Sequence, residues 1–127
     1  MLVFLFRLLS FLPLPILHAI GVGIGWTVYL ASGSYRRRLQ ENIKLAGFGR
    51  HLNKAVGESG KNMLELPFIW CAAPERVLHS IRIENWEVVE QAAAAGKGII
   101  FLTPHLGCFE ISAQVAAAQL PITVLYR

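Results

Sequence analysis

One long apolar segment near the start limits the folds open to this chain more than any other feature. From Leu8 to Tyr35 the sequence contains no Asp, Glu, Lys or Arg. As a helix, such a segment is long enough to cross about 30 Å of hydrocarbon. Pro13 and Pro15 predict that the regular helix begins near this pair, with proline in its first turn. We therefore predict a hydrophobic membrane anchor over residues 1–34.

A cleaved secretory signal is the alternative interpretation of this segment. Arg7 would form its basic start, and the ASG sequence at 31–33 loosely resembles a cleavage site. However, the apolar run is longer than a signal peptide requires, and Arg36–Arg38 follow it directly. A basic cluster holds its flank of the helix in the cytoplasm, which favours an anchor. The prolines also leave open a re-entrant or surface-lying helix.

The composition is typical of a membrane-associated protein. Charged residues make up 16% of the chain and hydrophobic residues 54%, whereas an average soluble domain is about 25% charged. The net charge of +4 suits an anionic bilayer, a phosphorylated lipid or an acidic protein partner. Nucleic acid is not expected, because the basic residues are not interleaved with aromatic ones. Cys71 and Cys108 form no CxxC pair and are expected to be reduced thiols.

Residues 35–127 are predicted to form the N-terminal portion of an α/β domain. Helical periodicity predicts helices over 35–46, 51–72, 85–95 and 109–119, with Asn85 as an N-cap and Gly96 as a terminator. Apolar alternation or runs predict strands over 81–84, 98–103 and 122–126. This order predicts strand–helix crossovers and a partial, mostly parallel sheet.

Several glycines also lie within the predicted helices. Gly21, Gly23 and Gly25 predict a smooth face on the anchor helix, against which other segments can pack. Gly57 and Gly60 are expected to weaken the helix over 51–72 by about 1 kcal/mol each relative to alanine.

A histidine and a glutamate follow the middle predicted strand, in the sequence TPHLGCFE at 103–110. On one continuous helix, His105 and Glu110 would point about 140° apart. They can meet only if His105 lies in a strand-to-helix turn and Glu110 on the first helical turn. Pro104 and Gly107 suit such a turn. The pair is therefore a candidate general base with a carboxylate partner, and the absence of an adjacent serine implies a substrate hydroxyl as nucleophile.

Spacing alone leaves other roles open for these residues. Cys108 beside His105 is a weaker candidate nucleophile, because no third orienting group is identifiable. His105 and Glu110 are alternatively a helix cap and a carboxylate that complements the helix dipole. No metal site is expected, because HExxH is absent and the other histidines lie outside the motif.

Taken as a whole, the sequence resembles the N-terminal part of the late acyltransferases of lipid A biosynthesis, the lauroyl/myristoyl acyltransferase family. The resemblance runs through YRRRLQENIKLAG at 35–47, IENWEVVEQAAAAGKGIIFLTPHLGCFEIS at 83–112 and VLYR at 124–127. HLGCFE fits the family's His-x4-Glu/Asp motif. Many relatives have Asn and Trp where this chain has Cys108 and Phe109. Family members are longer, so we expect this chain to be a truncated portion of a longer protein.

The resemblance implies an enzyme of the bacterial inner membrane whose catalytic side faces the cytoplasm. It would transfer a fatty acyl group from acyl carrier protein to a hydroxyl of a lipid A precursor, without a cofactor. His105 would be the base and Glu110 its partner, while Arg127 would bind substrate phosphate or donor. For Arg127 the alternative is a basic residue that begins a solvent loop. The alternative functions are acylation of another glycolipid or lysophospholipid, and an inactive membrane-anchored fragment.

Overall fold

The computed structural model describes residues 1–125, which form helices joined by turns and extended loops. The helices are α1 (Leu2–Ser10), α2 (Leu14–Ala31), α3 (Gly33–Leu45), a 3₁₀ turn (Gly49–His51), α4 (Leu52–Cys71), α5 (Pro74–His79), α6 (Glu87–Ala94) and α7 (Glu110–Gln119). The chain divides into two compact units, Met1–Ala72 and Ala73–Arg127.

The helices of the first unit follow the sequence prediction closely. Helix α2 begins at Leu14, with Pro13 at its N-cap and Pro15 in its first turn. The hydroxyl of Ser32 accepts a hydrogen bond from the Tyr35 amide and so caps α3. Helix α4 covers the predicted 51–72 segment with Pro67 inside it, whereas α1 and α5 were not predicted. Within residues 1–125, α2 is the one helix long and apolar enough to cross a membrane, which by itself is weak evidence of a span.

Helices α2 and α4 pack with their backbones in direct contact. A Cβ added to Gly21 would lie 2.7 Å from the carbonyl oxygen of Gly60, and one added to Gly25 would lie 2.5 Å from that of Val56. The predicted smooth face therefore exists, but Gly23 is not part of it, because the space around Gly23 is open. Gly60 of α4 allows this close approach, in the manner of small residues at helix–helix contacts.

Side-chain hydrogen bonds fix the register of these helices. The Nε2 atom of His18 on α2 lies 2.7 Å from Oε1 of Glu65 on α4, and both side chains are partly buried. On α3, the Tyr35 hydroxyl lies 2.6 Å from the Ser59 hydroxyl of α4. Gln40 on α3 donates to the Tyr29 hydroxyl of α2. Each pair of the three helices is therefore joined by a specific polar contact.

The Tyr35–Ser59 hydrogen bond offers a direct test of the α3–α4 contact. We expect Tyr35→Phe and Ser59→Ala each to destabilise the first unit, with a coupling free energy of about 0.5–1.5 kcal/mol between them, the usual net contribution of one hydrogen bond. A double-mutant cycle on thermal unfolding in detergent measures this coupling. Strictly additive effects of the two substitutions would show that the bond does not form.

The predicted α/β fold with a partial, mostly parallel sheet is wrong, because residues 1–125 contain no strand. The 98–103 run forms neither helix nor strand, and Ile100 and Leu102 are 89% and 90% exposed instead of covered on both faces. A helix makes its backbone hydrogen bonds within itself, whereas a strand needs a neighbouring strand. The apolar pattern predicted a strand, but no second segment of the described chain pairs with it.

The approach to α6 also differs from the prediction. Its N-cap is Trp86 and not Asn85, and no side chain caps the helix. Asn85 instead adopts a left-handed conformation with φ of 57°, which asparagine tolerates better than most residues. The predicted terminator Gly96 is confirmed, with φ of 67° after the end of α6.

Candidate functional site

His105 lies in a tight turn between the 98–103 segment and α7. The amide of Leu106 donates to the carbonyl oxygen of Pro104 at 2.8 Å, which makes a γ-turn centred on His105. Gly107 follows with φ of 58°, a conformation that glycine adopts at little cost. The proline and the glycine therefore place the imidazole in a turn before α7, but the strand that was predicted to precede this turn is absent from residues 1–125.

Glu110 is the first residue of α7 and is half-buried. The amides of Ile111 and Ser112 donate to the carbonyl oxygens of Cys108 and Phe109, at 3.2 and 3.1 Å, so the helix opens with a tight turn. A carboxylate in this position is stabilised by the positive end of the helix dipole. The location of Glu110 therefore fits the alternative interpretation, in which its carboxylate complements the helix dipole.

The imidazole of His105 packs against the ring of Phe109. The two ring centroids are 4.1 Å apart and the planes are inclined by 40°. The hydrogen bonds and ion pairs formed among residues 1–125 do not join His105 to Glu110. Helix α7 also has no side-chain cap at Phe109, so His105 does not act as its cap. His105 and Glu110 therefore lie in one turn–helix segment, with the ring of Phe109 beside the imidazole.

The hydroxyl groups of Thr103 and Ser112 lie at the junction between the 98–103 segment and α7. Ser112 donates to the carbonyl oxygen of Phe109 at 2.6 Å, and its hydroxyl lies 3.5 Å from that of Thr103. The nearest serine in the sequence is therefore engaged with the backbone and is not presented to His105. Sequence reasoning missed the contacts made by Thr103, Phe109 and Ser112. The spacing of four between His105 and Phe109 does not predict their ring contact, because the two residues do not share a helix.

The surroundings of His105 are apolar and open. Its own side chain is exposed, and so are those of Leu102 and Leu106, at 90% and 80%. Cys108 is half-buried and is not joined to Cys71 in a disulfide. Within residues 1–125 no group of three His, Cys, Asp or Glu side chains is placed to hold a metal ion. Arg127, the predicted substrate-binding residue, lies outside the described residues.

His105 thus lies in a turn and Glu110 on the helix that follows it. The family model for bacterial lipid A biosynthesis acyltransferases matches residues 1–127, the whole chain. The chain therefore belongs to this family, which confirms the resemblance predicted from its motifs. Comparison with curated proteins and with solved structures gives no match. Membership supports an acyltransferase activity in lipid A biosynthesis.

Proposed function

We propose that this protein transfers a fatty acyl group from acyl carrier protein to a hydroxyl of a lipid A precursor at the cytoplasmic face of the bacterial inner membrane. The observation that carries the proposal is the family match over the whole chain, which includes the His-x4-Glu sequence at His105 and Glu110. The local structure supports it, because the base lies in an accessible turn and the carboxylate on the adjoining helix.

In the proposed mechanism His105 acts as the general base. Its neutral imidazole accepts the proton of the acceptor hydroxyl while that oxygen attacks the acyl carbonyl carbon. The new carbon–oxygen bond forms, the bond between acyl group and carrier breaks, and the imidazolium returns the proton to the departing carrier group. No atom changes its oxidation state in this acyl transfer, so the proposed reaction needs no redox cofactor.

Glu110 orients the imidazole and stabilises its protonated form in this proposal. Catalytic hydrogen bonds often reach their working geometry only in the complex with substrate. We therefore propose that the imidazole of His105 moves away from Phe109 when substrate binds and forms a hydrogen bond with the Glu110 carboxylate. The half-buried position of Glu110 strengthens its interaction with a charged ring, because solvent screens it less.

Basic residues supply the proposed contacts with phosphorylated and acidic partners. Arg36, Arg37 and Arg38 on α3 are exposed, and they suit the phosphates of a lipid or the acidic surface of a carrier protein. Arg127 is proposed to bind substrate phosphate or donor, because a guanidinium can hold two phosphate oxygens at once. Helix α2, uncharged throughout, is the proposed contact with membrane lipid.

Acyl transfer in membranes that contain the full-length protein tests this function. Acyl carrier protein loaded with a fatty acid serves as donor, and a lipid A precursor competes with a lysophospholipid as acceptor. We expect the mass of the lipid A precursor to increase by one acyl group, and we expect the lysophospholipid to remain largely unchanged. Acylation of the lysophospholipid alone would assign the protein to another acceptor, and transfer to neither would contradict the proposal.

A further inference from the structure

Helix α2 has two sides with different environments. Leu17, Gly21, Gly25 and Tyr29 are buried against the rest of the first unit. The opposite side carries Ile16, Ile20, Ile24 and Val28, which are spaced four residues apart and are 40–47% exposed. We call these four residues the outer face of α2. Helix α1 continues this character, since most of its apolar side chains are also exposed.

The outer side of α2 also satisfies its own polar groups. The hydroxyl of the exposed Thr27 donates to the carbonyl oxygen of Gly23 at 2.8 Å, within the same helix. No residue of α2 carries a formal charge, and His18, partly buried, is paired with Glu65. In hydrocarbon, polar groups must form their hydrogen bonds within the protein, because no water is available to them. In water this is not required.

The other side of α2 is covered by a polar part of α4. Gly60 contacts Gly21 and Gly25, which lie at the middle of α2. The adjoining Lys61 forms an ion pair with Glu58 at 2.9 Å, and Glu58 is an exposed residue. The hydrogen bond from Lys61 lowers the pKa of the Glu58 carboxyl, which favours the charged form of this group. If α2 crossed a bilayer along its normal, these charges would lie near the middle of the hydrocarbon, where ionised side chains are strongly disfavoured.

We propose that α2 lies in the plane of an anionic bilayer, within one leaflet, with its outer face toward hydrocarbon and α4 toward water. The charges at its two ends support this orientation. Arg7 precedes α2 and Arg36–Arg38 follow it, and all four side chains are exposed. In the plane of the membrane they all reach phosphate groups of the same surface. A crossing helix would separate Arg7 from the other three. The proposal does not depend on the acyl-transfer reaction.

Depth measurement with spin labels tests this orientation in the full-length protein. Cys71 and Cys108 are first replaced by serine, and Ile16→Cys, Ile20→Cys, Ile24→Cys and Val28→Cys each receive a nitroxide. The protein is reconstituted in vesicles of phosphatidylethanolamine and phosphatidylglycerol. Collision rates with oxygen and with a water-soluble nickel complex then give the depth of each label. We expect the four labels to share one depth below the headgroups, and a label at Asn62→Cys on α4 to be in water.

A depth that rises and then falls from position 16 to position 28 would overturn the proposal in favour of a crossing helix. Free collision with the nickel complex at all four sites would exclude a bilayer contact. Shielding from both oxygen and nickel would identify a second copy of the chain on this face, and would also overturn the proposal.

A second measurement does not depend on labels within the helix. Leu2→Cys and Ser34→Cys, at exposed positions on either side of α2, are treated with a membrane-impermeant maleimide in intact cells and after permeabilisation. An in-plane helix leaves both positions on one side, so both must react under the same condition. Reaction of just one of them in intact cells would contradict the proposal. Loss of acyl transfer in any variant leaves these readouts unaffected, so the two hypotheses fail separately.

Discussion

Replacing His105 with alanine is expected to lower the rate of acyl transfer by about 10²–10⁴-fold, the usual contribution of a positioned general base. The substitution removes the group that accepts the hydroxyl proton and leaves the γ-turn intact, because that turn is closed by the backbone of Pro104 and Leu106. The measurement is kcat with the full-length protein in membranes, at saturating donor and acceptor. A lowered kcat with unchanged thermal stability assigns the loss to chemistry and not to folding.

His51→Ala is the matched control for this prediction. His51 is also an exposed histidine beside an aromatic ring, that of Phe48 at 6.1 Å between centroids, but it lies in the first unit. We expect its substitution to leave kcat unchanged. Glu110→Gln keeps the shape of the proposed partner and removes its charge, so it should also lower kcat, by less than the loss of the base. A folded His105→Ala protein with the wild-type rate would end the proposed role of His105.

Gly60→Ala is expected to destabilise the first unit by about 1–3 kcal/mol, the usual cost of overpacking. A Cβ at this position would overlap the carbonyl group of Gly21 and approach the amide of Gly25. Because the opposing atoms are backbone, no side-chain rotation relieves the overlap and the helices must separate. This cost exceeds the gain of about 1 kcal/mol that alanine brings to a helix. Thermal unfolding followed by circular dichroism in detergent measures the difference.

Gly23→Ala, on the same pair of helices, is expected to stabilise the first unit. An added Cβ at Gly23 meets nothing within 4 Å, so only the helix propensity changes. We therefore expect a gain in stability of about 0.5–1 kcal/mol. A Gly60→Ala protein that is as stable as the Gly23→Ala protein would show that α2 and α4 do not approach as closely as described.

The sequence predicted the helices well because the signals for a helix are local. Pro13 and Pro15 set the start of α2, and Gly96 sets the end of α6. The sheet was predicted wrongly because a strand needs a neighbouring strand. The apolar character of a run such as 98–103 does not show whether another segment pairs with it. The roles of the glycines were predicted in part. Gly21 and Gly25 were correctly predicted to form a packing face. Gly60 was predicted only to weaken α4, whereas it is the residue at which α4 contacts α2.

Prediction of the candidate site was also strongest where it was local. The turn at His105 and the position of Glu110 on the first turn of α7 follow from Pro104, Gly107 and the five-residue spacing. The contact between His105 and Phe109 does not follow from spacing, because it depends on side-chain rotation as well as on backbone position. The catalytic roles of His105 and Glu110 stay predictions until the variants above are measured.

The contact between α2 and α4 also has a consequence for the order of events during synthesis. Gly60 follows Gly21 by about 40 residues in the chain, so α2 leaves the ribosome before α4 does. At about 5–20 residues per second, that interval lasts roughly 2–8 seconds. During this time the face of Leu17 and Tyr29 is uncovered along with the outer face. An early encounter of the nascent chain with lipid would shorten the exposure, so we expect membrane targeting to precede the assembly of α4 on α2.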